Sequence, residues 1–95
     1  MTHYKSNLRD IEFNMFEVFG AGDLLGKGVY EDLDADTVRD LLRQQRDLAE
    51  GVLSDTFVSA DRNPPVYDPK AKTVTMPEDF AAAYQALMDA EGWRL

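Results

Sequence analysis

The sequence contains no cysteine and a single histidine, His3. Without cysteine there is no disulfide framework and no thiolate metal site, and the chain fits a reducing compartment. With one histidine and no thiol, neither a Cys–His nucleophile pair nor a transition-metal site can be assembled from its usual parts. A lone histidine this close to a terminus reads as a solvated side chain in a frayed segment. Long apolar runs are also missing. The opening MTHYKSNLRDIEF has no signal-peptide core, and no window approaches the ~20 apolar residues of a membrane span. The expectation is a soluble, cytoplasmic protein. Positive charge is scarce, with ten Lys and Arg against 18 Asp and Glu and a net charge of −8. That balance disfavours nucleic acid and anionic membrane surfaces as partners, and serves solubility. The acidity is scattered rather than drawn into a stripe, which argues against a nucleic-acid mimic. No internal repeat or low-complexity segment occurs.

Ninety-five residues, 44% of them apolar, make a single module over 1–95 with a thin core. A chain of this size buries roughly 60% of its unfolded surface and keeps a stability of a few kcal/mol. The pattern predicts an all-α fold of three main helices, at about 7–19, 35–62 and 77–91, with one short β-hairpin at about 66–75.

Asn7 can cap the first helix, with Asp10 in the capping-box position. Leu8, Ile11, Met15 and Val18 form its stripe, and Phe13, Phe16 and Phe19 widen it. So much apolar circumference on a short helix exceeds what one neighbour can cover. Phe13, Met15, Phe16 and Phe19 are therefore the candidate interface residues. Gly20 and Gly22 end the helix. A glycine-broken stretch follows, with a helical turn at most over Asp23 to Leu25. Leu24, Leu25, Val29, Tyr30 and Leu33 are expected to pin it down.

The second helix opens on Asp34 as cap and carries Val38, Leu41, Leu42, Leu48, Val52, Leu53 and Phe57 at helical spacing. At 1.5 Å per residue it would run roughly 38 Å, longer than the ~33 Å expected across a compact globule of this length. It therefore points to a larger body. Asn63-Pro64-Pro65 stops it, because a residue before proline is pushed out of the α region. Arg62, Asn63, Pro64 and Pro65 form a stiff structural corner. Val66-Tyr67-Asp68 and Thr73-Val74-Thr75 read as two strands joined by a type I turn at Asp68-Pro69, with Lys70 and Lys72 in water. An isolated two-stranded hairpin is marginal, so this one is expected to lie on helices. Pro77, Glu78 and Asp79 then open the third helix, whose stripe is Phe80, Ala83, Tyr84, Leu87 and Met88. Gly92 is suited to end it in the left-handed conformation.

No catalytic, cofactor-binding or metal-ligating set emerges. Gly20-Ala21-Gly22-Asp23-Leu24-Leu25-Gly26 follows a helix, not a strand, and lacks dinucleotide-loop spacing. Glu31, Asp32, Asp34 and Asp36 lack the order and glycine of a calcium loop. Arg39, Arg43 and Arg46 with Asp40, Asp47 and Glu50 read as a solvated face of short-range pairs. Arg62 could hold a carboxylate at a helix end, although anchoring the corner is the reading its position favours.

Four stretches, HYKSNLRDIEFNMFEVFG (3–20), LAEGVLSDTFVSADRNPPVYDP (48–69), VTMPEDF (74–80) and DAEGW (89–93), together resemble the N-terminal segment of the flavin-dependent acyl-CoA dehydrogenases, in their bacterial long-form branch. YKSNLRDIEFN and DRNPPVYDP are the most specific. The resemblance implies membership of an oxidoreductase family that binds FAD and dehydrogenates acyl-CoA thioesters in fatty-acid β-oxidation. Family enzymes continue into further N-terminal helices, a β domain and a C-terminal helical domain. The glutamate base and flavin-contacting loops lie there, so no family catalytic position falls within residues 1–95. The resemblance thus implies a docking and architectural role, with no FAD on this segment alone. The implied partners are the remainder of the dehydrogenase or another subunit, in a homo-oligomer. The chain would be either a truncated piece or a separate polypeptide of the same ancestry. The alternative is a free-standing interaction module that dimerises through Phe13, Met15 and Phe16.

Overall fold

Asn7 caps the first helix as its sequence position predicts, its Oδ1 accepting the N–H of Asp10 at 3.1 Å. This geometry comes from a computed structural model of the chain that describes residues 3–94. Helix α1 spans Leu8–Glu12 and passes directly into a π-helical segment, Phe13–Val18. There the N–H of Phe19 reaches the carbonyl of Asn14, five residues back, at 2.9 Å. The wider turn rotates everything beyond it relative to an α-helix. On the stripe read at α spacing, Ile11 before the wider turn and Val18 within it are both exposed, at 41% and 55%. Gly20 ends the segment in the left-handed region, φ 63° and ψ 35°, where its lack of a Cβ removes the usual cost.

Short 3₁₀ turns at Ala21–Asp23 and Gly28–Tyr30 follow. The first lies slightly before the turn expected at Asp23 to Leu25. Leu25 and Leu33 are half-buried, but Val29 is 91% exposed, so it does not help pin the stretch down. Helix α2, Ala35–Leu48, begins on Asp34, whose Oδ1 accepts the N–H of Thr37 at 2.7 Å. The carboxyl of Asp34 is held below the ordinary carboxylate range by hydrogen bonds from the Thr37 backbone and side chain, with a smaller contribution from the Asp36 N–H. Its folded pKa lies under its unfolded one. The cap therefore stabilises fully above the unfolded value, about 4, and its contribution is lost as pH falls through the folded value. The protection factors of amides at the start of α2, which divide out the intrinsic pH dependence of exchange, should fall below about pH 4 in the wild type. In Asp34→Asn, which caps without titrating, that fall should be absent.

Helical structure continues as a π-helical turn at Ala49–Leu53 and helix α3, Phe57–Arg62. Strands β1, Val66–Asp68, and β2, Thr73–Thr75, pair antiparallel in the register Val66 with Thr75, Tyr67 with Val74 and Asp68 with Thr73. Asp68 Oδ1 shapes the connection by accepting the N–H groups of Lys70 (2.9 Å) and Ala71 (3.2 Å). Helix α4 spans Glu78–Asp89. Its left-handed terminal residue is Glu91, φ 54°, one position before the expected Gly92, which instead opens a final 3₁₀ turn, Gly92–Arg94. The Glu91 carboxylate lies 3.5 Å from Arg94 there. The fold is thus mostly helical with one short hairpin, as the pattern predicts.

The contacts group into two units, Lys5–Asp47 and a second that joins the N-terminal residues through Tyr4 to Leu48 and everything after it. Each has little interior. Val38 in the first, and Ser54 and Ala83 in the second, are the buried residues among those described. The hairpin departs from expectation, because every residue from Val66 to Thr75 is exposed instead of covered by helices. The chain presents 7529 Å² to solvent. A folded monomer of its mass presents about 5,500 Å², and even two separate bodies of half that mass would present about 6,600 Å². The surplus includes large apolar side chains such as Phe19, Phe57 and Trp93, each at least 60% exposed.

Candidate functional site

The apolar first segment carries exposed apolar side chains. Within Lys5–Asp47 the four candidate interface residues divide into two pairs. Met15 turns inward, lining a hollow of about 230 Å³ with Leu24, Leu25, Leu33 and Val38. Phe16 is partly covered by Arg39, whose guanidinium carbon sits 4.4 Å from the ring centre. Phe13 and Phe19 remain 50% and 76% exposed. The free apolar surface is therefore Phe13 and Phe19, with Val18 beside them.

Arg39 is the residue that sequence reading placed wrongly, as part of a solvated face. It does approach Asp36 at 3.8 Å within its own helix, and Arg43 pairs with Asp40 at 2.6 Å. Arg39 also reaches Glu12 at 4.0 Å while stacking on Phe16, so it ties α2 to the first segment. Glu12 and Arg39 lie far apart in sequence, and no local spacing signals their meeting. A partly exposed ion pair contributes about 0.5 kcal/mol and the stacked cation about as much again. Arg39→Ala should cost Lys5–Asp47 about 1 kcal/mol in urea unfolding, and Arg39→Lys should recover less than half, because an ammonium cannot stack as a planar guanidinium does.

In the second unit, α3 ends at the proline corner. The backbone N–H of Asn63 and its side-chain Nδ2 both donate to the carbonyl of Ser59, at 2.9 and 3.0 Å. Asn63 leaves the helix at φ −120°, ψ 71°, outside the α region that Pro64 disfavours for the residue before it. Arg62, Pro64 and Pro65 are exposed, and Arg62 has no ion-pair partner among the described residues. His3 is exposed but not simply solvated: its ring packs 4.6 Å from that of Phe57, tilted by 45°. Together with Tyr4, Ala49, Leu53 and Ser54 the two rings line a hollow of about 280 Å³. The correction arises because Phe57 offers an apolar surface that sequence distance conceals.

The titratable side chains that do meet, Arg9, Glu12, Glu17 and Arg39, line one hollow with Phe13 and Phe16. The Asp34 carboxylate is occupied as a cap and Asp36 faces Arg39. Among the described residues no three His, Asp or Glu side chains come together as a metal site. The glycine stretch folds as 3₁₀ turns after a π-helical segment, not as a phosphate cradle after a strand. No helix among the described residues is long and apolar enough to cross a membrane.

Comparison with known proteins adds an independent observation. The chain is 50% identical over 93 residues to the broad-specificity linear acyl-CoA dehydrogenase FadE5 of Mycobacterium tuberculosis. That match covers 98% of this chain and corresponds to the N-terminal part of the relative, 15% of its length. No family model matches the chain.

Proposed function

The chain belongs to the acyl-CoA dehydrogenase family as an N-terminal segment of it, and from that premise we propose that it serves such an enzyme as a docking and architectural part. The reaction it would serve is α,β-dehydrogenation of an acyl-CoA thioester, with FAD as the group that accepts the hydride. The observation that carries the reading is identity sustained over nearly the whole chain to 15% of a dehydrogenase, combined with large apolar side chains such as Phe13 and Phe19 left exposed.

The residues present do not fit a flavin. A hollow of about 310 Å³ is lined by Arg9, Glu12, Phe13, Phe16, Glu17 and Arg39, at the low end for even a drug-sized ligand. Its two carboxylates offset its two guanidiniums, which leaves no net positive charge for a pyrophosphate. The work left to this segment is to present surface. The corner at Asn63-Pro64-Pro65 fixes how the chain leaves α3, and Phe13 and Phe19 supply apolar area for the larger body.

A graft tests this reading. When this chain replaces the corresponding N-terminal part of the mycobacterial relative, the chimera should fold, bind flavin and retain most of the parent's dehydrogenase activity. The chain alone should purify colourless. A yellow isolated chain, or a chimera that fails to fold where the parent succeeds, would overturn the proposal.

A further inference from the structure

The N-terminal residues do not pack with the segment they lead into. Tyr4 to Asn7 adopt no regular secondary structure. The contacts group the residues through Tyr4 with Leu48 and everything after it, not with Lys5–Asp47. Along the chain, Lys5–Asp47 is therefore bracketed before and after by residues of the other unit. The attachment is aromatic: the His3 ring packs 4.6 Å from that of Phe57, and His3 and Tyr4 line a hollow with Ala49, Leu53, Ser54 and Phe57. The π-helical turn Ala49–Leu53 supplies its base, next to Ser54, which is 7% exposed. Tyr4 and Phe57 keep 47% and 61% of their surface in water. The grip is thus specific in its partners but shallow.

We propose that His3 and Tyr4 are a strap whose closure on Phe57 and the Ala49–Leu53 turn is coupled to the folding of the segment it brackets. Magnitudes decide the coupling. With Lys5–Asp47 unfolded, the strap could close only by bringing together the ends of a flexible loop of some fifty residues. That closure entropy grows as about (3/2)RT ln n, which amounts to a factor of several hundred against contact. A pair of partly exposed rings favours contact by only about two- to tenfold. The strap therefore opens when Lys5–Asp47 unfolds, and closes once folding has already removed that freedom. Linkage is reciprocal, so a closed strap stabilises folded Lys5–Asp47 by the same factor. Two side chains of one unit thus act on the stability of the other through the chain that connects them. The inference goes beyond the dehydrogenase reading and does not depend on it.

His3 is the single histidine, so its imidazole protons are an isolated NMR reporter of the strap. In the full-length chain the ring current of Phe57 should displace them from their positions in the peptide MTHYKS at the same pH. Phe57→Leu, which keeps apolar bulk, should return them most of the way. In urea the wild-type displacement should vanish in step with the unfolding of Lys5–Asp47. His3→Ala/Tyr4→Ala should lower the amide protection factors of Val38 and Leu42 about fivefold, the worth of one aromatic contact, and Phe57→Leu should lower them by less. All three side chains are exposed, so circular dichroism should stay unchanged. Peptide-like shifts in the wild type, or variants that lose protection only at residues 49–57 and keep it at Val38 and Leu42, would overturn the proposal. None of those results bears on the graft, which tests the dehydrogenase reading separately.

Discussion

Val38→Asp should abolish the folded state of Lys5–Asp47. Val38 is 8% exposed and lines the same hollow as Met15, Leu25 and Leu33. Aspartate there removes the buried methyl groups and places a carboxylate among apolar side chains, where the structure offers no cation. The combined cost is about 3 kcal/mol or more. At about 0.05–0.15 kcal/mol per residue, a unit of some forty residues holds only about 2–6 kcal/mol. The dispersed amide resonances of residues 5–47 should therefore collapse. Val38→Ala, which leaves a small cavity without a charge, should cost about 2 kcal/mol and keep the dispersion under stabilising conditions. If Val38→Asp kept a native spectrum, the core of this unit would lie elsewhere.

The second large effect concerns surface. Phe13→Ser/Phe19→Ser removes two side chains that are 50% and 76% exposed. In the isolated chain the change should move stability by less than about 0.5 kcal/mol, as for ordinary surface substitutions, and should improve solubility. In the chimera with the mycobacterial relative the same pair should lower assembly or stability by about 2 kcal/mol or more, because each phenylalanine would be covered there. This asymmetry separates docking residues from core residues, which lose stability in both settings. Equal behaviour in both settings would remove Phe13 and Phe19 from any interface.

The helices, caps and hairpin were legible because their signals are local. Asn7, Asp34, Gly20 and the Pro64-Pro65 pair each act on backbone within a few residues, and each does what its position predicts. What sequence could not supply was the covering of side chains. A stripe read at α spacing assigns Ile11 and Val18 to the interior, but both stand exposed, because the small unit around them leaves part of that stripe uncovered. Arg39 reads as a surface cation because Glu12 and Phe16 are distant in sequence. His3 reads as solvated for the same reason, since Phe57 lies more than fifty residues away. The hairpin was expected under helices on the general ground that small hairpins need support, and the chain does not provide that support. Of the candidate interface, the sequence identified the apolar segment but could not divide it into inward Met15 and Phe16 and outward Phe13 and Phe19.

The most direct measurement of whether these residues need a larger body is amide hydrogen exchange on residues 3–94, first in the isolated chain and then in the chimera. Weak protection is expected in the isolated chain, with a clear rise around Phe13–Phe19 once the remaining dehydrogenase sequence is attached. Equal, strong protection in both would mean that the chain satisfies its own surface, and would contradict the role proposed for it.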